Sequence, residues 1–197
     1  MAIDKVAVIG AGLMGGGIAA HVANAGIDVI LLDIVPEGAK KRSGLALKAV
    51  ESMLKTEPAP FMEKRNAKRI MCGNIEDDLG LLAEADWIVE AVIEKRDIKQ
   101  AIYRQIDSVR KAGSIVSSNT STIPCRNLMD GMEESFQRDF FITHFFNPPR
   151  YMRLLEIVSG EKTRDDAVAA VSDFADRRLG KGVVDCKDTP GFIANRI

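Results

Sequence analysis

Three glycines near the beginning of the chain have the spacing of a phosphate-binding turn. Gly10, Gly12 and Gly15 follow an apolar segment, residues 6–9, in the pattern G-x-G-x-x-G, and a helical segment comes next. In such a turn the first glycine permits the tight bend and the second lets a pyrophosphate approach the backbone. The third lets the helix pack closely on a sheet, and the unpaired N–H groups at the start of the helix attract phosphate. The residues predicted to contact a dinucleotide here are Gly10, Gly12, Leu13, Met14 and Gly15.

An acidic residue makes this pattern more specific, because glycines also cluster in ordinary loops. Asp33 ends a second apolar segment and lies 23 residues beyond Gly10, close to the ~20 residues that dinucleotide sites require. A carboxylate there accepts hydrogen bonds from the ribose hydroxyls of the adenosine and repels a 2′-phosphate. Ile34 and Val35 follow it, so no arginine is in place to bind that phosphate. The sequence therefore predicts NAD as cofactor, rather than NADP.

The second chemical candidate is a histidine paired with a carboxylate. Of the two histidines, His21 lies in the first predicted helix, where a structural role is expected. His144 ends a strand-like segment, and Glu156 follows twelve residues later on another one. A return of the chain between the two strands would bring them together. Such a pair suits the oxidation of an alcohol by NAD, since histidine takes the hydroxyl proton and the carboxylate orients the ring. A buried core histidine capped by a glutamate would give the same spacing, so both interpretations stay open.

The elements that must position these residues alternate between strand and helix. This favours an α/β fold of the Rossmann type, a doubly wound, mostly parallel sheet with extra strands near the C-terminal end. The predicted strands are residues 6–9, 28–33, 70–75, 87–93, 114–118, 140–146, 154–159 and 182–186. The predicted helices, besides the one after the glycines, are residues 36–55, 64–69, 79–84, 97–111 and 164–179. Ligands bind at the carboxyl ends of such strands, so the glycines, Asp33, residues 91–94 and residues 117–122 should share one rim.

Composition excludes several classes of function. A net charge of −1 over 197 residues gives no reason to expect nucleic acid or an anionic membrane as partner. Residues 6–27 carry no Asp, Glu, Lys or Arg, but glycines, His21 and Asn24 interrupt them, so neither a membrane span nor a signal peptide is expected. Cys72, Cys125 and Cys186 are odd in number and far apart. They predict reduced thiols in a cytoplasmic protein, with no metal site.

With these residues in view, the chain resembles the NAD-binding domain of the L-3-hydroxyacyl-CoA dehydrogenases of fatty-acid β-oxidation. The resemblance extends over essentially all 197 residues. It rests on GAGLMGGGIA at 10–19, VEAVIE at 89–94, SNTS at 118–121, HFFNP at 144–148, LLEI at 154–157 and DTPGFIANR at 188–196. The sequence of residues 147–156 is most similar to that of the long bacterial forms that also carry an enoyl-CoA hydratase.

The resemblance implies an activity and a set of roles. The activity is NAD-dependent oxidation of L-3-hydroxyacyl-CoA to 3-ketoacyl-CoA. His144 matches the family's general acid/base and Glu156 its partner, while Ser121 and Asn195 match positions that bind the substrate oxygen or the histidine. The positions that match contacts with the nicotinamide half of NAD are Glu94, Lys99, Ser121 and Asn147. Ala49 and Thr56 depart from the family pattern, because some members carry polar or basic residues there for the CoA end.

The resemblance also implies a domain organisation. Residues 1–187 are expected to form the NAD-binding domain, and residues 188–197 to begin a helical domain that in the family builds homodimers and closes the substrate cleft. Without that domain, the 197-residue chain is expected to bind NAD but to turn over acyl-CoA poorly.

Two other functions remain on the same scaffold. One is another NAD-dependent dehydrogenase, of the β-hydroxyacid or 6-phosphogluconate type, although those enzymes typically use a catalytic lysine. The other is a non-enzymatic NAD-binding or structural protein, as lens lambda-crystallin is. The presence of Ser121, His144, Glu156 and Asn195 favours an enzyme.

Overall fold

The computed structural model describes residues 2–196, and within them eight strands form one sheet in the order β3-β2-β1-β4-β5-β6-β7-β8. The strands are β1 Lys5–Ile9, β2 Asp28–Asp33, β3 Ile70–Asn74, β4 Trp87–Glu90, β5 Ile115–Ser118, β6 Phe140–Phe145, β7 Leu154–Ser159 and β8 Gly182–Asp185. The helices are α1 Leu13–Asn24, α2 Gly44–Met53, α3 Arg96–Val109, α4 Cys125–Met129, α5 Glu134–Asp139 and α6 Asp165–Arg177. Strands β1 to β6 are parallel, β7 runs antiparallel to β6, and β8 is parallel to β7. The predicted Rossmann-type fold is confirmed.

Both faces of the sheet are covered, which explains the uninterrupted apolar character of its central strands. Alternate residues of a strand point to opposite faces. In β1, Val6 and Val8 pack in the core on the side of α1 and α6, whereas Ala7 and Ile9 pack on the side of α3. Trp87 is fully buried on the α1 side, between the rings of Phe145 and Phe174.

The strand order reverses between β1 and β4, since the chain runs outward from β1 through β2 and β3 and then returns to the other side of β1. A crevice opens at the carboxyl ends of the strands at such a switch point. The glycine turn follows β1 directly, and the loop after β4 lies beside it. The sheet therefore brings residues of distant segments to one rim.

Several predicted elements differ from those observed. The helix predicted for residues 36–55 is helical only over Gly44–Met53, because Gly38 has a φ of +70° and breaks the segment before α2. The strand predicted for 87–93 ends at Glu90. The segments Lys64–Arg69 and Leu79–Glu84 form 3-10 helices. Helices α4 and α5 were not predicted, since five or six residues are too few to show a helical period.

Residues after 187 pack on the sheet domain in the part that the structure describes. The Asp188 carboxylate accepts the backbone N–H groups of Cys125 at 2.6 Å and Arg126 at 3.0 Å, at the start of α4. Phe192 is 3 % exposed and lies in the core on the α3 side. Only Ala194–Arg196 is helical here, as a 3-10 turn. The domain boundary at residue 187 stays a prediction.

No helix among residues 2–196 has both the length and the apolar character needed to cross a bilayer.

Candidate functional site

The glycine turn has one position that leaves space for a ligand. A Cβ on Gly10, whose φ is +101°, would lie 2.6 Å from the Ala91 carbonyl oxygen, and one on Gly15 would lie 1.8 Å from the Gly10 carbonyl oxygen. The packing of the protein itself therefore requires these two glycines. A Cβ on Gly12 would meet nothing within 4 Å. Gly12 caps α1 without a side-chain hydrogen bond, so the first N–H groups of the helix are open to this space. The turn fits a dinucleotide pyrophosphate.

Asp33 lies beside the same turn. One carboxylate oxygen accepts the Ala11 N–H at 2.6 Å and the other accepts the Ile34 N–H at 2.7 Å. These two bonds fix the carboxylate at the end of β2, next to the glycines, while leaving it half-buried with lone pairs for ribose hydroxyls. Leu13 is 75 % exposed at the first position of α1, and Met14 is half-buried behind it. The five predicted turn residues and Asp33 are thus brought together.

His144 and Glu156 face each other across two antiparallel strands. They are directly opposite in the register of β6 and β7, and Nδ1 of His144 lies 2.7 Å from a carboxylate oxygen of Glu156. Both side chains are buried. His144 lies two residues beyond Ile142, so it points to the α3 face of the sheet. The return of the chain that the sequence analysis required is therefore present.

The other carboxylate oxygen of Glu156 accepts two backbone N–H groups, from Ile193 at 3.0 Å and from Ala194 at 2.9 Å. Burial, the largest single influence, raises the pKa of Glu156, but the hydrogen bonds to His144 and to these N–H groups together hold it below its usual value. Glu156 is therefore ionised at neutral pH, and an ionised carboxylate only accepts, so the proton of the neutral imidazole resides on Nδ1.

The N–H groups reach Glu156 because of an unusual backbone. Phe192, the residue before them, has a φ of +50°, and Gly191 has a φ of +77°. The left-handed conformation costs a non-glycine residue roughly 1–2 kcal/mol. The cost is offset because Phe192 is buried in the core and its ring centroid lies 5.7 Å from that of His144. The ring of Phe146 also packs against His144, with the two ring centroids 4.5 Å apart.

The Nε2 atom of His144 is the atom left for chemistry. The residues described provide it with no hydrogen-bond partner, and it is not sealed away from solvent. With the proton held on Nδ1, Nε2 carries a lone pair and acts as a proton acceptor.

Glu94 organises the loop that carries Ser121. One of its carboxylate oxygens accepts the N–H groups of Ser121 at 3.0 Å and Thr122 at 3.2 Å, and also the hydroxyl of Thr120. Burial raises the pKa of Glu94, and the hydrogen bond from Thr120, the charge of Lys99 and the two N–H groups lower it further than burial raises it. On the other side, the side-chain amide of Asn195 donates to the Ser121 carbonyl at 3.4 Å. Ser121, Glu94 and Asn195 are thus brought together.

Lys99 is not at the surface of the rim. It is 1 % exposed, and its ammonium donates to Glu90 at 2.7 Å and lies 3.3 Å from the second oxygen of Glu94. It therefore reaches the rim through Glu94. Its partner Glu90 is fully buried and also accepts the hydroxyls of Tyr103 and Ser118, each at 2.7 Å.

Sequence analysis missed Glu90 and Asn119 as positioning residues. The signal for Glu90 was a charged residue inside an apolar strand. Asn119 accepts the Phe145 N–H at 2.9 Å and so ties the loop after β5 to the end of β6, next to His144. No signal in the sequence beyond the loop's polar character indicated this bond.

Asn147 lies on the other face of the sheet, at a cavity of about 380 Å³ between the start of α1, α2 and the turn after β6. The lining residues that matter for the predictions are Gly12, Leu13, Ala49, Thr56 and Asn147. Neither His144 nor Glu156 is among the lining residues, so the cavity does not contain the pair. Ala49 and Thr56, the two positions that depart from the family pattern, lie in its wall together with Arg150.

Comparison with known proteins places the whole chain among dehydrogenases. Residues 5–189 match the family model described as "3-hydroxyacyl-CoA dehydrogenase, NAD binding domain". The chain is 51 % identical over 197 residues to a probable 3-hydroxyacyl-CoA dehydrogenase of Deinococcus radiodurans, covering 57 % of that protein. It is 47 % identical to a probable 3-hydroxyacyl-CoA dehydrogenase of Bacillus subtilis, covering 99 % of this chain and 26 % of that one.

Among solved structures, the 3-hydroxybutyryl-CoA dehydrogenase from Escherichia coli K12 superposes with a TM-score of 0.84 and 30 % sequence identity. That match covers 100 % of this chain and 40 % of the other. The chain thus spans about half the length of the Deinococcus relative and about a quarter of the Bacillus one.

Proposed function

Because the chain belongs to the family of NAD-binding domains of 3-hydroxyacyl-CoA dehydrogenases, with NAD as cofactor, we propose that its protein oxidises L-3-hydroxyacyl-CoA to 3-ketoacyl-CoA in fatty-acid β-oxidation. The observation that carries the proposal is the His144–Glu156 pair, with Nδ1 held at 2.7 Å from an ionised carboxylate and Nε2 left free. A base positioned in this way is what removal of a hydroxyl proton requires.

The chain's own residues account for the movement of the proton. NAD⁺ held by the residues of the rim would supply the hydride acceptor for the carbon that carries the hydroxyl. Nε2 of His144 takes the hydroxyl proton, while Nδ1 keeps its hydrogen bond to Glu156. The Glu156 carboxylate then stabilises the imidazolium, as the aspartate does in a Ser-His-Asp triad. A general base of this kind contributes typically about 10²–10⁴ in rate.

Two further side chains are proposed to act on the substrate oxygen or on the histidine. Ser121 is partly exposed at the carboxyl end of β5, and Asn195 donates to its carbonyl at 3.4 Å. Both lie on segments that the carboxylates of the site hold in place: Glu94 holds the Ser121 loop and Glu156 holds the turn before Asn195.

The cofactor contacts are proposed along the rim. The open space above Gly12 and the uncapped start of α1 support binding of the pyrophosphate, and the position of Asp33 supports binding of the adenosine ribose. The residues proposed to hold NAD are Gly10, Gly12, Leu13, Met14, Gly15, Asp33, Glu94, Lys99, Ser121 and Asn147. Among them, the buried Lys99 would act through Glu94.

The organisation of the whole protein is also a proposal. A helical domain following residue 187 would build a homodimer and close over the acyl-CoA, and the 197-residue chain alone would bind NADH but turn over slowly. A cytoplasmic location stays a prediction from the three unpaired cysteines.

The test is NADH oxidation with acetoacetyl-CoA by the protein at its full natural length. We expect turnover with acetoacetyl-CoA and none with free acetoacetate, and we expect His144→Asn to lose about 10²–10⁴ in kcat with NADH binding retained. NADH binding without any turnover would support the non-enzymatic alternative. Turnover of free hydroxy acids in place of the CoA thioester would support a β-hydroxyacid dehydrogenase.

A further inference from the structure

Lys181 is a buried lysine that the proposed mechanism does not use. It immediately precedes β8 and is 2 % exposed. Its ammonium donates to the carbonyl of Pro149 and, at 2.8 Å, to the carbonyl of Met152, and it lies 5.5 Å from the centroid of the Phe145 ring. Within the part of the chain that the structure describes, no carboxylate pairs with it.

The carbonyls that Lys181 binds belong to the turn after β6. The N–H groups of Tyr151 and Met152 both bond to the Pro148 carbonyl at 3.0 Å, while the carbonyls of Pro149 and Met152 accept from the lysine. Arg150 ties the outer side of the turn to the carbonyls of Ala59 and Phe61, at 2.6 and 3.1 Å. Lys181 is thus the inner tether of a turn that is held from both sides.

The same turn forms one wall of the cavity next to α1. Asn147, Pro148, Pro149 and Arg150 line the cavity, and the opposite wall contains Gly12, Leu13 and Gly17. The contact between the walls is close, since a Cβ on Gly17 would lie 3.0 Å from Cδ of Pro149. Three of the lining residues, Gly12, Leu13 and Asn147, are proposed NAD contacts, so a displacement of Pro149 would change the width of the cofactor cleft.

We propose that Lys181 is a positioning residue for NAD binding: its buried ammonium holds the Asn147–Arg150 turn at the distance from α1 that the cofactor requires. This rests on the proposed cofactor contacts, and it adds a residue that touches neither cofactor nor substrate.

The chemistry of the tether supports this role over simple filling of space. Taking an ammonium out of water is costly, and a methionine of similar length would fill the same volume without that cost. Burial lowers the pKa of Lys181 to about 8. The neighbouring His21 adds no second positive charge beside the ammonium, because burial and the charge of Lys181 lower its pKa to about 4. What the lysine provides is a set of N–H donors for two carbonyls of the turn.

The experiment compares Lys181→Met with Lys181→Gln, which keeps two N–H donors, and with Lys162→Met as control. Lys162 is a half-exposed lysine paired with Glu134 at 3.1 Å, and it does not line the cavity. We expect Lys181→Met to raise the Kd for NADH by about tenfold, since two hydrogen bonds to the turn are lost. The Kd for NADH of Lys181→Gln should lie between those of Lys181→Met and the unchanged protein. The Kd of the Lys162→Met control should equal that of the unchanged protein.

In the full-length protein, Lys181→Met should raise KM for NADH by a similar factor with kcat changed less than about twofold, because His144 and Glu156 lie in strands rather than in the turn. A folded Lys181→Met with unchanged Kd for NADH would overturn the inference. If Lys181→Met does not fold, Lys181→Gln decides the question by the same titration. Failure of the unchanged protein to bind NADH would instead refute the proposed cofactor site.

Discussion

Replacing Glu156 by glutamine should change the tautomer of His144, rather than only weaken a hydrogen bond. One oxygen of Glu156 accepts the N–H groups of Ile193 and Ala194, and the other lies 2.7 Å from Nδ1. In Glu156→Gln the amide oxygen must face the two N–H donors, so the NH₂ group faces Nδ1. Because an NH₂ group only donates, Nδ1 must become the acceptor and the proton moves to Nε2.

The expected loss follows from this geometry. Nε2 would then present a proton to the substrate hydroxyl where a lone pair is needed. The imidazolium formed during oxidation would also lose its carboxylate partner. In a Ser-His-Asp triad the corresponding change of aspartate to asparagine lowers kcat by about 10⁴ through the wrong tautomer. We expect kcat to fall by about 10³–10⁴, which corresponds to about 4–5.5 kcal/mol in the activation free energy.

The assay combines kinetics with direct observation of the ring. Steady-state rates with an L-3-hydroxyacyl-CoA and NAD⁺, the direction in which His144 acts as the base, give kcat for the full-length protein, and fluorescence titration checks that NADH still binds. The chain has only two histidines, so nitrogen-labelled imidazole NMR of Glu156→Gln distinguishes the His144 tautomer with little overlap. Retention of the proton on Nδ1, or a loss in kcat below about tenfold, would refute the reasoning.

Four further changes test the cofactor turn and the core. Asp33→Ala should raise the Kd for NADH about tenfold to a hundredfold, because hydrogen bonds to a charged group contribute about 1.5–3 kcal/mol. The Kd for NADPH, measured by the same fluorescence titration, should change less. Gly15→Ala should lower the free energy of unfolding by roughly 1–3 kcal/mol, since its Cβ would lie 1.8 Å from the Gly10 carbonyl oxygen. Gly12→Ala should change the free energy of unfolding, measured by urea titration for both glycine variants, by no more than about 1 kcal/mol, because its Cβ would meet only open space. It should weaken NADH binding instead, since that space is where the pyrophosphate is proposed to lie. Burial lowers the pKa of His21 from 6.5 to about 4. Between these two pH values the unfolded chain binds more protons than the folded chain, so the free energy of unfolding should fall by up to about 3 kcal/mol as the pH falls from 6.5 to 4. His21→Gln should remove this pH dependence of the free energy of unfolding. An unchanged slope between pH 6.5 and 4 would show that His21 is not its source.

The spacing of residues along the chain was sufficient to predict the fold class, and it is also the basis of the proposed cofactor turn. Gly10, Gly12 and Gly15 are close in sequence, and their roles depend on backbone conformation and on the strand and helix beside them. The prediction that Asp33 lies beside the glycine turn needed only the assumption that β2 is next to β1, which the right-handed crossover of a parallel sheet favours. The apolar strands indicated a sheet covered on both faces for the same local reason.

Short or irregular elements could not be predicted in this way. Helices α4 and α5 span five and six residues, less than two turns, so no periodic apolar pattern develops. The segment before α2 has helical composition, but Gly38, with a φ of +70°, permits the irregular path that the tertiary packing selects. The left-handed Phe192 has no local signal, since its conformation is held by burial against the core.

The amino-acid sequence by itself determined the glycine turn that is proposed to receive the phosphates and named His144 and Glu156 as candidates, with a buried structural pair as the equal alternative. Tertiary structure alone decided that the two residues are opposite in register, that Ile193 and Ala194 hold the carboxylate, and that Nε2 stays free. It also placed Lys99 behind the rim and Lys181 beneath the turn. The reason is that a side chain's partners depend on strand register and on packing between segments far apart in the chain, which spacing within one segment does not encode.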